Sequence, residues 1–237
     1  MRENTMSYHK PQKFIFAWIL STALVLGANA GHADITTPPD DLLKDVANNM
    51  ISELNRQRVD LKGDPNKVQA LVETILLPSV DVISSSKSVL GKHWRRASKA
   101  QKIGFIKEFR TLLLRFYSSA LAEYLNNNSE PLDINMINFH PVHLEEGRKD
   151  ITVRSTIKPK KGEPVMVNYH MQLTRKGWKV YDVSVEGVSV ITTYKTSFAS
   201  EIRQQGLDSL IASLSERNAK LLANNDAENA FKKNKTP

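Results

Sequence analysis

No cysteine occurs in the 237 residues. That absence excludes thiol nucleophiles, disulfide frameworks, Fe–S clusters and cysteine-type zinc sites together. Glycine is scarce as well, with ten in the chain. The glycine-built loops that present a nucleophile or cradle a phosphate are missing: there is no Gly-x-Ser-x-Gly, no Gly-x-x-x-x-Gly-Lys-Ser/Thr and no Gly-x-Gly-x-x-Gly. What remains is ordinary globular material, 41% hydrophobic and 24% charged. Collagen-like, low-complexity and wholly disordered chains are thereby excluded. A chain of this length buries a substantial core without a disulfide or a structural metal.

Long apolar runs are missing too, apart from one near the N-terminus. Arg2, His9, Lys10 and Lys13 precede an uncharged run of 13 residues, Phe14 to Leu26, and small residues follow it. A bilayer-spanning helix needs about 20 residues, so this run is too short to span. The order basic, apolar, small reads as a secretory signal peptide, residues 1–33, cleaved after Ala28-Asn29-Ala30 or after Gly31-His32-Ala33. The expected product is a soluble, exported protein with one domain over residues 34–222 and a polar, disordered tail over 223–237. Removal of the leader takes Arg2, Lys10, Lys13 and Glu3, so the rest keeps most of the formal +8. Export makes nucleic acid a poor partner for that charge; an anionic membrane surface or an acidic protein fits better.

The remaining chain reads as helices, then strands, then helices. Pro38-Pro39-Asp40-Asp41 opens a helix carrying Leu42, Leu43, Val46, Met50 and Leu54. Asp64-Pro65 caps a second helix that Pro78 stops. Ser98-Lys99-Ala100-Gln101 fits a capping box at the head of a long helix, apolar on more than one face, which runs to Asn126. Beyond Pro131 the period changes to two. Val165, Val167, Tyr169, Met171 and Leu173 alternate without a break, and Arg175-Lys176-Gly177 marks a hairpin into Trp178–Val185. In that last strand Lys179, Tyr181, Val183 and Val185 are expected opposite Trp178, Val180, Asp182 and Ser184. Three or four strands with short connections make an antiparallel meander. A helical segment near Ser197–Gln205 and a last helix capped by Asp208 complete an α+β fold.

Chemistry-bearing constellations are few. His140 and His143 sit three apart, which on an extended chain puts their rings on opposite faces. His93 and His170 have no nucleophile or carboxylate tied to them by spacing. Asp182 and Glu186 are the best acid/base pair for an exported hydrolase, without an aromatic sugar platform beside them. A purely protein-binding adaptor, free of ligand, is the other alternative. More informative is apolar surface beyond one stripe on the long helix and on the strand, which builds either a two-layer core or the wall of a pocket.

Three blocks in register resemble one family. They are Val89-Leu90-Gly91-Lys92-His93-Trp94-Arg95-Arg96-Ala97-Ser98-Lys99-Ala100-Gln101 with Phe105, Phe109 and Tyr117; Trp178-Lys179-Val180-Tyr181-Asp182-Val183 running into Glu186-Gly187-Val188-Ser189-Val190-Ile191; and Gly206-Leu207-Asp208-Ser209-Leu210-Ile211. Together they resemble the MlaC family of periplasmic phospholipid carriers, also called toluene-tolerance auxiliary proteins. The resemblance implies N-terminal helices and a C-terminal helix around a twisted antiparallel sheet, like nuclear transport factor, enclosing a deep apolar cavity for acyl chains. It implies no enzyme activity, and no cofactor beyond phospholipid carried as cargo. The implied partners are an outer-membrane lipoprotein–porin complex and an inner-membrane ABC transporter with a ring of MCE domains, in a pathway that maintains outer-membrane lipid asymmetry.

Combined with the apolar pattern, this gives candidate lipid-binding residues: Phe105, Phe109, Leu112, Phe116 and Tyr117 on the helix, Val165, Val167, Tyr169 and Met171 on the strand, and Val188 and Ile191 after it. Lys92, Arg95 and Arg96, flanking Trp94 on an expected loop, are candidate partner contacts.

Overall fold

The structure, a computed structural model, describes residues 37–159 and 162–233. The expected signal peptide lies outside them. Helix α1 (Pro39–Arg56) opens on proline, with Asp40 and Asp41 in its first turn at the positive end of the helix dipole. A single turn, α2 (Arg58–Leu61), leads to α3 (Pro65–Ile75). Asp64 caps α3 by accepting from the backbone N–H groups of Asn66 and Lys67. Pro78 then sits in a 3-10 turn, Leu77–Ser79. Two helices follow that periodicity does not announce, α4 (Val82–Leu90) and the five-residue α5 (Lys92–Arg96). Ser84, Ser85 and Ser86 obscure α4, because serine is a poor interior helix former. Asp81 compensates as its cap, accepting from the N–H of Ser84 at 2.9 Å. The capping box forms as expected, Ser98 and Gln101 exchanging hydrogen bonds of 2.9 and 3.1 Å at the head of α6 (Lys99–Asn127).

The meander has five strands: β1 (Ile137–Phe139), β2 (Asp150–Ile157), β3 (Val165–Thr174), β4 (Gly177–Val185) and β5 (Val188–Ser189). They lie in chain order and every neighbouring pair is antiparallel. Directly paired residues share a face. Val167 pairs with Val185, Tyr169 with Val183, Met171 with Val180 and Leu173 with Trp178, so one face is apolar throughout. The strict alternation expected for β4 fails because the register shifts between His170 and Met171. One extra residue in β4 puts Trp178 and Val180 on the same face as Val183 and Val185. Helix α4 receives the distortion: the N–H of Asp81 donates to the Val180 carbonyl at 2.8 Å and Ser85 Oγ to the Tyr181 carbonyl at 2.7 Å.

Helices α7 (Val190–Gln205) and α8 (Leu207–Lys233) close the chain. Helix α7 starts well before the expected Ser197, because Val190-Ile191-Thr192-Thr193 is a β-branched run that imitates a strand. Ser189 caps it, accepting from the N–H of Thr192 at 2.9 Å. Asp208 lies in the first turn of α8 and accepts from the Gln101 side chain at 3.0 Å, which ties α8 to the start of α6. Helix α8 continues over residues 223–233, where polar composition suggests a disordered tail; its alanines and glutamate are good helix formers.

Three buried clusters hold these layers. Met50, Leu54, Leu61, Val68, Val72, Leu114, Ala122 and Leu125 join α1–α3 to α6. Val89, Leu90, Phe105, Phe109, Ile191, Phe198, Leu210 and Leu214 join α4, α6, α7 and α8. Leu43 of α1 covers the sheet through Phe139, Val153, Met171, Trp178 and Val180. At about 100° per residue, Phe105 and Phe109 lie on the side of α6 opposite Leu114, Ala122 and Leu125. The long helix is therefore apolar on two faces because it serves two cores.

Candidate functional site

Between the apolar sheet face and the helices lies a recess of about 390 Å³. Helix α6 lends it a third face, the stripe Arg110, Leu113, Leu114 and Tyr117, which lies between the two core stripes at helical spacing. Val72 of α3, Leu76 and Leu77 just after it, and Val80 and Val82 around the start of α4 form a second wall. Val180, Val183 and Val185 of β4 form the floor, and Val190 with Ile191 the far end.

Polar groups on this wall are mostly engaged. Ser85 Oγ donates to the Tyr181 carbonyl. Asp182 accepts from Ser189 Oγ at 2.6 Å and from the Ile191 N–H at 3.1 Å, so both its oxygens fasten the start of α7. Arg110 faces Glu73 of α3, with Nη2 and Oε1 3.5 Å apart. Burial, with Tyr194 and Asp182 nearby, holds the Tyr117 hydroxyl above the usual phenol range, so it stays neutral at physiological pH. Such a wall accepts apolar matter and supplies little chemistry.

Of the eleven lipid-site candidates, Tyr117 and Ile191 line this recess. Phe105 and Phe109 stack at 5.5 Å and meet Phe198 edge-on at 6.0 and 6.2 Å, fully buried on a neighbouring face of α6; Leu112 packs on the same cluster. They are core because α7 and α8 cover the face that carries them. Phe116 is 57% exposed and meets Tyr117 edge-on at 5.3 Å. Val165, Val167, Tyr169 and Met171 do share the apolar sheet face, but Tyr169 and Met171 pack with Phe139 and Trp178 in the cluster that α1 covers. The recess takes β4 instead. Val188 is 65% exposed and borders a shallow hydroxyl-lined groove with Ser189, Thr192 and Thr193. It sits just past a hairpin tip where Glu186 and Gly187 take φ of 49° and 80°, as a two-residue loop of this hand requires. Among the described residues no helix covers that tip, which leaves Val188 exposed.

Glu186 is engaged in the same turn, accepting from the Met166 N–H while its own N–H donates to the Met166 carbonyl at 2.9 Å. In the acid/base pair drawn from sequence, Asp182 thus holds a helix start and Glu186 a hairpin turn. His140 Nε2 lies 3.0 Å from Thr156 Oγ1, and His170 Nδ1 lies 3.0 Å from Thr152 Oγ1.

The basic group lies on α5 rather than on a loop, since Gly91, at φ 52°, ends α4 and lets the chain turn directly into another helix. Lys92 and Arg95 converge with Lys87 and Lys195 on a second cleft of about 510 Å³, beside Trp94, Gln172 and Tyr181. Arg96 does not line it. The Lys195 stem lies so close to Gly91 that a Cβ there would stand 3.2 Å from its Cε. No carboxylate lines this cleft among the described residues.

Apart from Tyr117, the recess-lining stripe of α6 escapes sequence reasoning, as do the hydrophobic residues flanking Pro78. The spacing of Arg110, Leu113, Leu114 and Tyr117 was the available signal, masked by two other apolar stripes on one helix.

Comparison with known proteins is consistent with this architecture. A solved structure of a phospholipid-binding protein from Ralstonia solanacearum, in complex with a phospholipid, superposes with a TM-score of 0.66 at 28% identity, over 77% of this chain and 98% of that one. The intermembrane phospholipid transport system binding protein MlaC of Haemophilus influenzae is 27% identical over 186 residues, 76% of this chain and 82% of that protein. Toluene tolerance protein ttg2D of Pseudomonas putida is 27% identical over 171 residues, 72% of this chain and 75% of that protein. The family model for the MlaC protein matches residues 44–216, from the middle of α1 into α8, and so takes in every wall of the recess. A chain with this α+β order, this sheet and this match belongs to the MlaC family.

Proposed function

We propose that this protein is a periplasmic phospholipid carrier that holds acyl chains in the recess between α3, α4, α6 and β4. The observation that carries this reading is the wall itself: valines, leucines, Ile191 and two tyrosines with Arg110 at the border, and Ser85 and Asp182 turned to structural hydrogen bonds. A buried methylene is worth about 0.8 kcal/mol, so one C16 chain represents roughly 12 kcal/mol of water exposure that a carrier removes. Pockets for drug-sized ligands span about 300–1,000 Å³. A recess of about 390 Å³ is small for two acyl chains, so the loaded carrier holds it wider.

Cargo would be received from an outer-membrane lipoprotein–porin complex and exchanged with an inner-membrane ABC transporter through its ring of MCE domains. Each contact must be brief, and the cleft of Lys87, Lys92, Arg95 and Lys195 offers clustered positive charge for fast, electrostatically steered docking. On this reading the protein turns nothing over.

Native mass spectrometry of protein released gently from the periplasm tests the proposal. The expected spectrum shows co-purified phospholipid with mixed headgroups. Ligand-free protein that also takes up nothing from vesicles would leave the adaptor reading standing. Release of fatty acid during incubation would restore the hydrolase.

A further inference from the structure

We infer that Arg110 reads the phosphate of a bound lipid, so that the recess selects phosphate-bearing lipids over uncharged ones whatever their head alcohol. The inference rests on the carrier reading above and concerns its substrate class.

Among the described residues that line the recess, Arg110 is the one cation. Its place is set by α6, one turn before Leu113 and Leu114, which puts a guanidinium at the border of an otherwise apolar wall. That position is open to solvent: the Arg110 and Glu73 side chains are 38% and 36% exposed. Their contact is loose. Nη2 and Oε1 stand 3.5 Å apart, beyond the roughly 2.7–2.9 Å of a charge-assisted hydrogen bond. Glu73 also receives the Gln69 amide at 3.4 Å. The other charged lining residue, Asp182, has both oxygens engaged by Ser189 and Ile191 and makes no pair with Arg110.

A guanidinium presents five N–H donors in a planar fork that matches a phosphate. Glu73 engages one edge of it and stands in for an anion when no lipid is bound. A lipid whose chains pass Leu113 and Tyr117 brings its phosphodiester to the same border. That group carries a negative charge in phosphatidylglycerol, phosphatidylcholine and phosphatidylethanolamine alike, so Arg110 exchanges Glu73 for phosphate without sensing the alcohol. A diacylglycerol with identical chains offers no charge and leaves the Arg110–Glu73 pair in its way.

The test uses the full secreted protein incubated with mixed vesicles of phosphatidylglycerol, phosphatidylcholine and diacylglycerol of matched chains, with bound lipid counted by native mass spectrometry. Wild type is expected to hold the two phospholipids in similar amounts and to favour them over diacylglycerol by about ten-fold. Arg110→Gln should abolish that preference while still taking up lipid, and Arg110→Lys should restore most of it. Glu73→Gln should keep or raise phospholipid occupancy, because the competing carboxylate is gone. An Arg110→Gln protein with wild-type preference, or a Glu73→Gln protein that loses phospholipid, overturns the inference and leaves the carrier intact. A wild type that takes up no lipid defeats the carrier reading, and this inference with it. If Arg110→Gln does not fold by circular dichroism, the Lys and Glu73 variants decide.

Discussion

Leu113 and Val188 make opposite predictions although both are hydrophobic residues within the stretch that matches the family. Leu113 lines the recess from α6, while Val188 stands mostly in solvent at the hairpin tip. A carboxylate placed among apolar side chains without a partner costs several kcal/mol or draws in water. Leu113→Glu should therefore empty the recess, seen as loss of co-purified lipid by mass spectrometry with the circular dichroism of a folded protein. Val188→Glu should keep its lipid, since its new charge is hydrated. Reversal of these two outcomes would move the binding site to the hydroxyl-lined groove of Ser189 and Thr192. The same local reasoning separates Asp182 from a catalyst: a carboxylate whose two oxygens accept from Ser189 and Ile191 is already engaged in holding a helix start.

Helix starts are where elements gain their definition here, and the start of α7 borders the recess. Removing the Ser189 hydroxyl by Ser189→Ala deprives the Thr192 N–H of its acceptor and Asp182 of one donor. The expected loss is about 1 kcal/mol, lowering the melting temperature by about 2–4 °C for a protein of this size, with lipid occupancy unchanged. At this scale the sequence was unevenly legible. The capping box at Ser98 and the alternation of β3 could be read directly, because each is a local pattern with one geometric solution. The bulge in β4 could not, since the carbonyls it displaces are satisfied by Asp81 and Ser85 about a hundred residues away in the chain. Helix α7 was hidden by β-branched residues that packing overrides. The recess was hidden for a related reason: α6 is apolar on three faces, and periodicity cannot tell which of them faces a core and which a cavity. Only the placement of α7 and α8 against Phe105 and Phe109 settles it.

For the whole molecule, charge and shape divide the surface by task. The basic cleft and the recess share Tyr181 but are lined by different sides of α4, Ser84, Lys87 and Ser88 against Val82 and Ser85. On the proposed function, docking charge and lipid are thereby kept apart. Reversing Lys92 and Arg95 together to Glu should slow association with the membrane complexes at low salt while leaving bound lipid in place. The wild-type rate should fall as the Debye length shrinks from about 30 Å to 8 Å. A rate indifferent to salt, or a reversed variant that associates normally, would return these side chains to general solubility.

The sheet carries a consequence of another kind in the brevity of its two outer strands. β1 has three residues and β5 two, so each covers only the end of its neighbour: β1 pairs with Ser155, Thr156 and Ile157 of β2, and β5 with Ser184 and Val185 of β4. A carrier of the proposed kind opens an apolar interior repeatedly and exposes sticky surface each time it does so. The lengths of β2 and β4 that these short strands leave uncovered are then the margins where an emptied molecule in crowded solution is expected to accept a foreign strand first.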